Sequence, residues 1–127
     1  MRGKRQWKFI LGAAILASGH AGAATSLNGE WARDDGTVRA RIGPCGKELC
    51  AITTWVKNPA GMEKVGDKFS MNVKEVAPRH WTGAAFDPQR NLRYNVDVQM
   101  TGDRLTTRGC VSESTACVTA DWTRATR

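Results

Sequence analysis

The sequence predicts an all-β fold, a small antiparallel up-and-down barrel of about eight strands, and three observations predict it. Apolar residues recur at every second position in short runs. The clearest run sets Leu92, Tyr94, Val96, Val98 and Met100 against Arg93, Asn95, Asp97 and Gln99, an alternation that no amphipathic helix produces. The runs are divided by short stretches of Gly, Pro, Asp and Asn, the residues of tight turns, which favour sequential antiparallel neighbours. A sheet of eight strands with one apolar face must bury that face, and closing it into a barrel does so while removing the exposed edges. A two-sheet β-sandwich fits the same strand signals and is the alternative.

The elements follow in order. Residues 29–33 lead into Asp34-Asp35-Gly36, a hairpin signal. Residues 37–42 put Val38, Ala40 and Ile42 on one face and Arg39 and Arg41 on the other. Gly43-Pro44-Cys45-Gly46 reads as a turn, and residues 49–56 as the third strand. Residues 57–67, with Pro59, two glycines and several charges, are the longest loop or a short helical turn. Residues 69–76 place Phe69, Met71 and Val73 on one face, and residues 80–86 end at Asp87-Pro88. After residues 92–100, Thr101-Gly102-Asp103 turns the chain into residues 104–111, and residues 116–125 form the last strand.

Two segments organise the chain. Residues 1–23 read as a secretory signal peptide: Arg2, Lys4, Arg5 and Lys8 form a basic head, residues 9–17 a short apolar run, and Ala21-Gly22-Ala23 a small-x-small cleavage site. That run is too short to span a bilayer, which takes about 20 residues as a helix. No cysteine follows the cut to carry a lipid anchor, and no Arg-Arg pair marks a special export route. Residues 24–127 are then a single β-barrel domain, periplasmic or secreted. The chain carries 19 basic and 12 acidic residues, but four of the basic ones lie in the signal. The remaining cations are scattered singly, so the composition argues against a nucleic-acid partner.

All four cysteines, Cys45, Cys50, Cys110 and Cys117, lie in the exported part, which reads as two disulfides. Parity puts Cys110 and Cys117 on the outer face of neighbouring strands, and only four residues separate Cys45 from Cys50. Local bridges Cys45–Cys50 and Cys110–Cys117 are expected, while a crossed pairing such as Cys45–Cys117 remains open. The spacings are not those of a zinc site, and neither a metal nor a cofactor is expected. His80 is the sole histidine after the signal, with no partner that the sequence can name. Asp34, Asp35 and Asp87 sit in turn signals, where aspartate serves the backbone. No catalytic constellation emerges, so the protein is expected not to be an enzyme.

Gly29-Glu30-Trp31, Pro44-Cys45-Gly46 with Leu49-Cys50, Asn58-Pro59, Trp81-Thr82-Gly83, Asp87-Pro88, Arg108-Gly109-Cys110 and Trp122-Thr123-Arg124 occur in that order. This ordered set resembles the bacterial exported family catalogued as domain of unknown function 2147, over nearly all of the exported part. The resemblance implies a lipocalin-like (calycin) barrel in the periplasm or outside the cell, and no particular activity. One departure is Gln89-Arg90-Asn91, standing where members often carry a Gly. Calycins shut one end of the barrel with a Trp from an N-terminal Gly-x-Trp and an Arg from the last strand, positions that Trp31 and Arg124 match. The local pattern agrees, since Arg124 and Trp122 share the apolar parity of Val118 and Ala120. An arginine on that face needs an aromatic or polar partner, unless it frays into solvent near the chain end.

Two functional classes remain. As a binding module, the barrel would take a small hydrophobic molecule or lipid inside, lined by Trp55, Phe69, Met71, Val73, Tyr94, Val96, Val98 and Leu105. Those side chains would otherwise fill the barrel as core. As a protein-interaction barrel, in the manner of the small periplasmic protease inhibitors, it would present its N-terminal tail, residues 25–28, and the 57–67 loop to a partner. An open apolar pocket favours the first class and a filled barrel the second. The oligomeric state is not legible. Sequencing the exported protein should find its N-terminus at Ala24 or Thr25; an intact Met1 end in the membrane fraction would contradict the signal reading.

Overall fold

Eight strands follow one another in the computed structural model, which describes residues 26–125. They are β1 (Gly29–Arg33), β2 (Val38–Cys45), β3 (Glu48–Val56), β4 (Lys68–Ala77), β5 (His80–Asp87), β6 (Leu92–Thr101), β7 (Arg104–Val111) and β8 (Cys117–Arg124). Each pairs antiparallel with the next, and β8 returns to β1 to close the barrel. The sandwich alternative is thereby excluded. The signal segment, residues 1–23, lies outside the described residues.

The closing seam is the shortest ladder of the eight, with Trp31↔Arg124, Ala32↔Thr123 and Arg33↔Trp122 as its partners. Inside it, each tryptophan meets an arginine. The Arg124 guanidinium lies 4.3 Å from the centre of the Trp31 ring, and that of Arg33 lies 5.7 Å from Trp122. The fraying of Arg124 into solvent is excluded. It donates to the Asn28 carbonyl at 2.9 Å and the Ser26 carbonyl at 3.1 Å, and pairs with Asp103 at 3.3 Å. Trp31 is 1% exposed and its indole Nε1 donates to the Leu27 carbonyl at 2.9 Å. Leu27 is itself buried and joins Trp31, Ile42, Trp81, Val98, Met100 and Leu105 in the core. The described part of the tail is therefore a plug under the barrel. Gly29 makes room for this base, because a Cβ there would stand 2.7 Å from the Arg124 guanidinium, at a φ of 138° that other residues rarely adopt.

Two local expectations change, and the disulfide pairing is as expected. Pro44 and Cys45 belong to β2 and pair with Leu49 and Glu48, so the turn contracts to Gly46-Lys47. Both disulfides are the local ones: Cys45–Cys50 spans this hairpin, and Cys110–Cys117 joins directly opposed residues of β7 and β8. Each short ring contributes about 2–3 kcal/mol on the loop-entropy account. The second change is a bulge in β3. Ala40 pairs with Thr53 but Arg39 with Trp55, leaving Thr54 as the extra residue. One inserted residue reverses the parity of everything after it, and Trp55 turns from the interior to the outer surface, where it is 45% exposed.

At the opposite end, the 57–67 loop is pinned by charge. Arg33 takes both carboxylate oxygens of Glu63 at 2.9 Å. Arg90 bridges the buried Asp87 at 3.0 Å, Asp67 at 3.2 Å and the Met62 carbonyl at 2.7 Å. The residue that departs from the family pattern thus ties two turns together, and Asn91 at φ 56° supplies the left-handed conformation. Gly83, from the Trp-Thr-Gly motif, sits where β4 crosses tightest: a Cβ would come 2.1 Å from the Asn72 carbonyl oxygen.

Trp31→Ala should cost about 3–5 kcal/mol, the range for deleting a buried aromatic. Arg124→Ala should cost about 1–3 kcal/mol, combining a cation–π contact with lost hydrogen bonds to the Ser26 and Asn28 carbonyls. Because the two side chains touch, a urea-melt double-mutant cycle should show a coupling of at least about 0.5 kcal/mol; additive effects would contradict the shared base.

Candidate functional site

Seven of the eight residues expected to line the interior do point inward. Phe69 and Tyr94 approach with ring centroids 6.0 Å apart, and Val98 and Leu105 are fully buried. Trp55 is the exception, displaced by the β3 bulge. The interior void has a volume of about 80 Å³, walled by Leu27, Trp31, Ala40, Ile42, Ala51, Met71, Val98, Leu105, Thr107 and Trp122. Ligand pockets occupy roughly 300–1,000 Å³. Only Met71, Val98 and Leu105 of the predicted set touch the void. The space is taken by Leu27 from below and by the indoles of Trp31 and Trp122, the latter donating to Thr107 Oγ1 at 3.1 Å. Met71 and Val73 also border a groove of about 270 Å³ between the β2–β3 hairpin and β4, outside that void. It opens because β3 and β4 pair only from Leu49↔Met71 to Ile52↔Lys68.

The outer wall is more distinctive. Of six large apolar side chains exposed among the described residues, four fall on β3 and the loop after it: Ile52 (39%), Trp55 (45%), Met62 (81%) and Val65 (62%). The loop returns alongside β3, with Gly66 N–H donating to the Thr53 carbonyl at 2.8 Å and Thr53 N–H to the Asp67 carbonyl at 2.9 Å. Val65 is thus brought beside the Trp55 end of β3. Cations flank this row. Arg41 and Lys68 are the register partners of Ile52 on either side, and Arg39 is that of Trp55, its guanidinium 6.0 Å from the ring.

Carboxylates near this wall are engaged elsewhere. Glu30, almost buried, accepts from Thr54 and pairs with Arg41 at 3.3 Å. Glu63 is held by Arg33, and Asp67 by Arg90 and the Lys64 N–H. Arg39, Lys57 and Lys68 form no ion pair among the described residues. The wall therefore combines apolar side chains with unneutralised positive charge.

The sequence named the 57–67 loop as a presenting element but missed its union with the outer face of β3, because Trp55 turns outward only through the bulge. It also missed the partner of His80. The ring Nε2 lies 2.8 Å from Asp97 Oδ2 on the outside of β5 and β6. That hydrogen bond, with smaller help from Gln99 and Arg108, holds the Asp97 carboxyl below its usual range. Among the described residues, no serine or thiol hydrogen-bonds to the pair.

A family described as "Uncharacterized protein conserved in bacteria (DUF2147)" matches residues 29–124. The chain belongs to this family. The matched span runs from the first residue of β1 to the last of β8, so the family unit is the closed barrel itself. No curated protein and no solved structure matches the chain. No helix among the described residues is long and apolar enough to cross a membrane.

Asp97 gives a pH signature. A depressed folded pKa contributes stability that is present above the unfolded carboxylate value, about 3.9, and lost as pH falls through the folded one. The pair is well exposed, at 32% and 42%, so its worth is at most about 1 kcal/mol. Urea melts at pH 5 and at about pH 2.5 should show wild type losing more stability than His80→Ala; equal losses would contradict the pairing.

Proposed function

We propose that the protein is an exported, non-catalytic binding module that works through its outer wall, formed by β3 and the 57–67 loop, with its interior given over to core. The small interior void carries this reading: about 80 Å³ is below the space a lipid or small hydrophobic ligand needs. The barrel would be of the lipocalin type with its chamber filled by packing. Export to the periplasm or beyond is supported by the basic head, apolar run and cleavage motif, together with two disulfides, bonds that persist in oxidising compartments.

The interaction class also needs its contact surface revised. Leu27 is buried, and the carbonyls of Ser26 and Asn28 are bound by Arg124. The tail at 26–28 is committed to the base and is a poor presenting element, and Thr25 lies outside the described residues. The loop is better suited. Arg33 and Arg90 hold it at both ends of the Met62–Asp67 stretch, so Met62 and Val65 project from a braced frame. A preorganised surface loses less conformational entropy on binding.

Photo-crosslinking in the native compartment tests this directly. A benzophenone side chain at Met62 should give adducts, whereas one at Thr119, exposed on β8, should give none. Adducts at Thr119 alone, or none at either, would contradict the outer-wall reading.

A further inference from the structure

The outer wall interleaves two kinds of side chain, and the interleaving says what covers it. Arg41, Ile52 and Lys68 form one row across β2, β3 and β4, and Arg39 and Trp55 form the next. Met62 and Val65 extend the row from the loop, with Lys57 and Lys64 at the loop's start and middle. Protein–protein interfaces favour Trp, Met and Arg but are depleted of lysine, yet here Lys68 stands beside Ile52, and Lys57 and Lys64 lie in the loop that carries Met62 and Val65. The long stems of Lys and Arg cover apolar surface while their heads reach out to polar groups. An aqueous–apolar boundary rich in anions matches both features at once. Trp is favoured at the headgroup level of a bilayer, and Lys and Arg are drawn to the negative potential of anionic lipids.

We infer, resting on the outer-wall reading above, that the partner of this wall is the surface of a membrane containing anionic phospholipid. Met62 and Val65 enter between headgroups, Trp55 lies at headgroup level, and Arg39, Lys57 and Lys68 meet the phosphates. The protein docks by this one side and no strand crosses the bilayer. The three carboxylates beside Ile52, Trp55 and the loop, Glu30, Glu63 and Asp67, are engaged by Arg41, Arg33 and Arg90, and Glu48 lies at the far end of β3. Charge complementarity therefore selects the lipid: zwitterionic bilayers offer the apolar term alone, and anionic ones offer both.

The test uses the exported protein, both disulfides formed, with vesicles of phosphatidylcholine alone or mixed in equal parts with phosphatidylglycerol. Binding to the mixed vesicles should be at least about tenfold tighter than to the neutral ones and should weaken with salt. Lys68→Glu and Met62→Asp should each reduce it several-fold at an unchanged thermal midpoint, while Thr119→Asp on β8 leaves it intact. Tryptophan emission should shift to the blue on the mixed vesicles in wild type and not in Trp55→Phe. Absence of binding to the mixed vesicles, or equal binding by Lys68→Glu and wild type, overturns the inference. Should Met62 crosslink to a protein in cells while the vesicles stay unbound, the lipid assignment fails and the outer-wall reading stands.

Discussion

The reciprocal pairing of Trp31 with Arg124 and of Arg33 with Trp122 is the contact on which the barrel depends. It occupies the one ladder that is not built from neighbours in sequence, so it closes the longest loop in the chain, and loop closure is costly in entropy. The other seven ladders join consecutive strands through short connections or the single 57–67 loop. With only three residue pairs, backbone hydrogen bonds at the seam are few, and the side chains have to supply what the ladder lacks. Two indoles stacked by two guanidinium groups do so from within, and each cation is further held by carbonyls or carboxylates at its own end of the barrel.

The same arrangement decides how the interior is used. A seam built from two tryptophans and two arginines places bulk inside a barrel of eight strands, a size whose interior is just wide enough for side chains or one small ligand. Leu27 rises from the base and Thr107 anchors the Trp122 indole, leaving about 80 Å³. Stability and storage compete for one volume here, and packing takes it. On the function proposed above, binding is left to the outside, and the bulge in β3 supplies an outer apolar group by turning Trp55 outward. Arg33 links the two ends of this logic, since it stacks on Trp122 inside and clamps Glu63 of the loop that carries Met62.

Much of this was legible in the residues. Turn residues and period-two alternation together located all eight strands, most sharply in β6, where no residue of 92–100 departs from the pattern. The family resemblance together with strand parity placed Trp31 against Arg124. The second pair, Arg33 with Trp122, was within reach of the same argument, because two steps forward on one antiparallel strand meet two steps back on its partner. Other features were hidden for physical reasons. A bulge inserts a residue without any change in composition, so Thr53-Thr54-Trp55 looks like regular strand and Trp55 looks internal. Pro44 reads as a turn although it sits within β2. His80 and Asp97 lie on neighbouring strands, yet alternation reports only a face and not which residue stands opposite. Void volume depends on packing in three dimensions, which residue type alone does not give.

Whether the interior is core or chamber is the central question, and native mass spectrometry of the protein purified from its own compartment answers it most directly. A filled barrel should appear at the mass of the processed chain with two disulfides and nothing retained under gentle ionisation. A lipid or other apolar molecule held one-to-one, and kept by a Met62→Asp variant that disables the outer wall, would place a ligand inside and contradict the account.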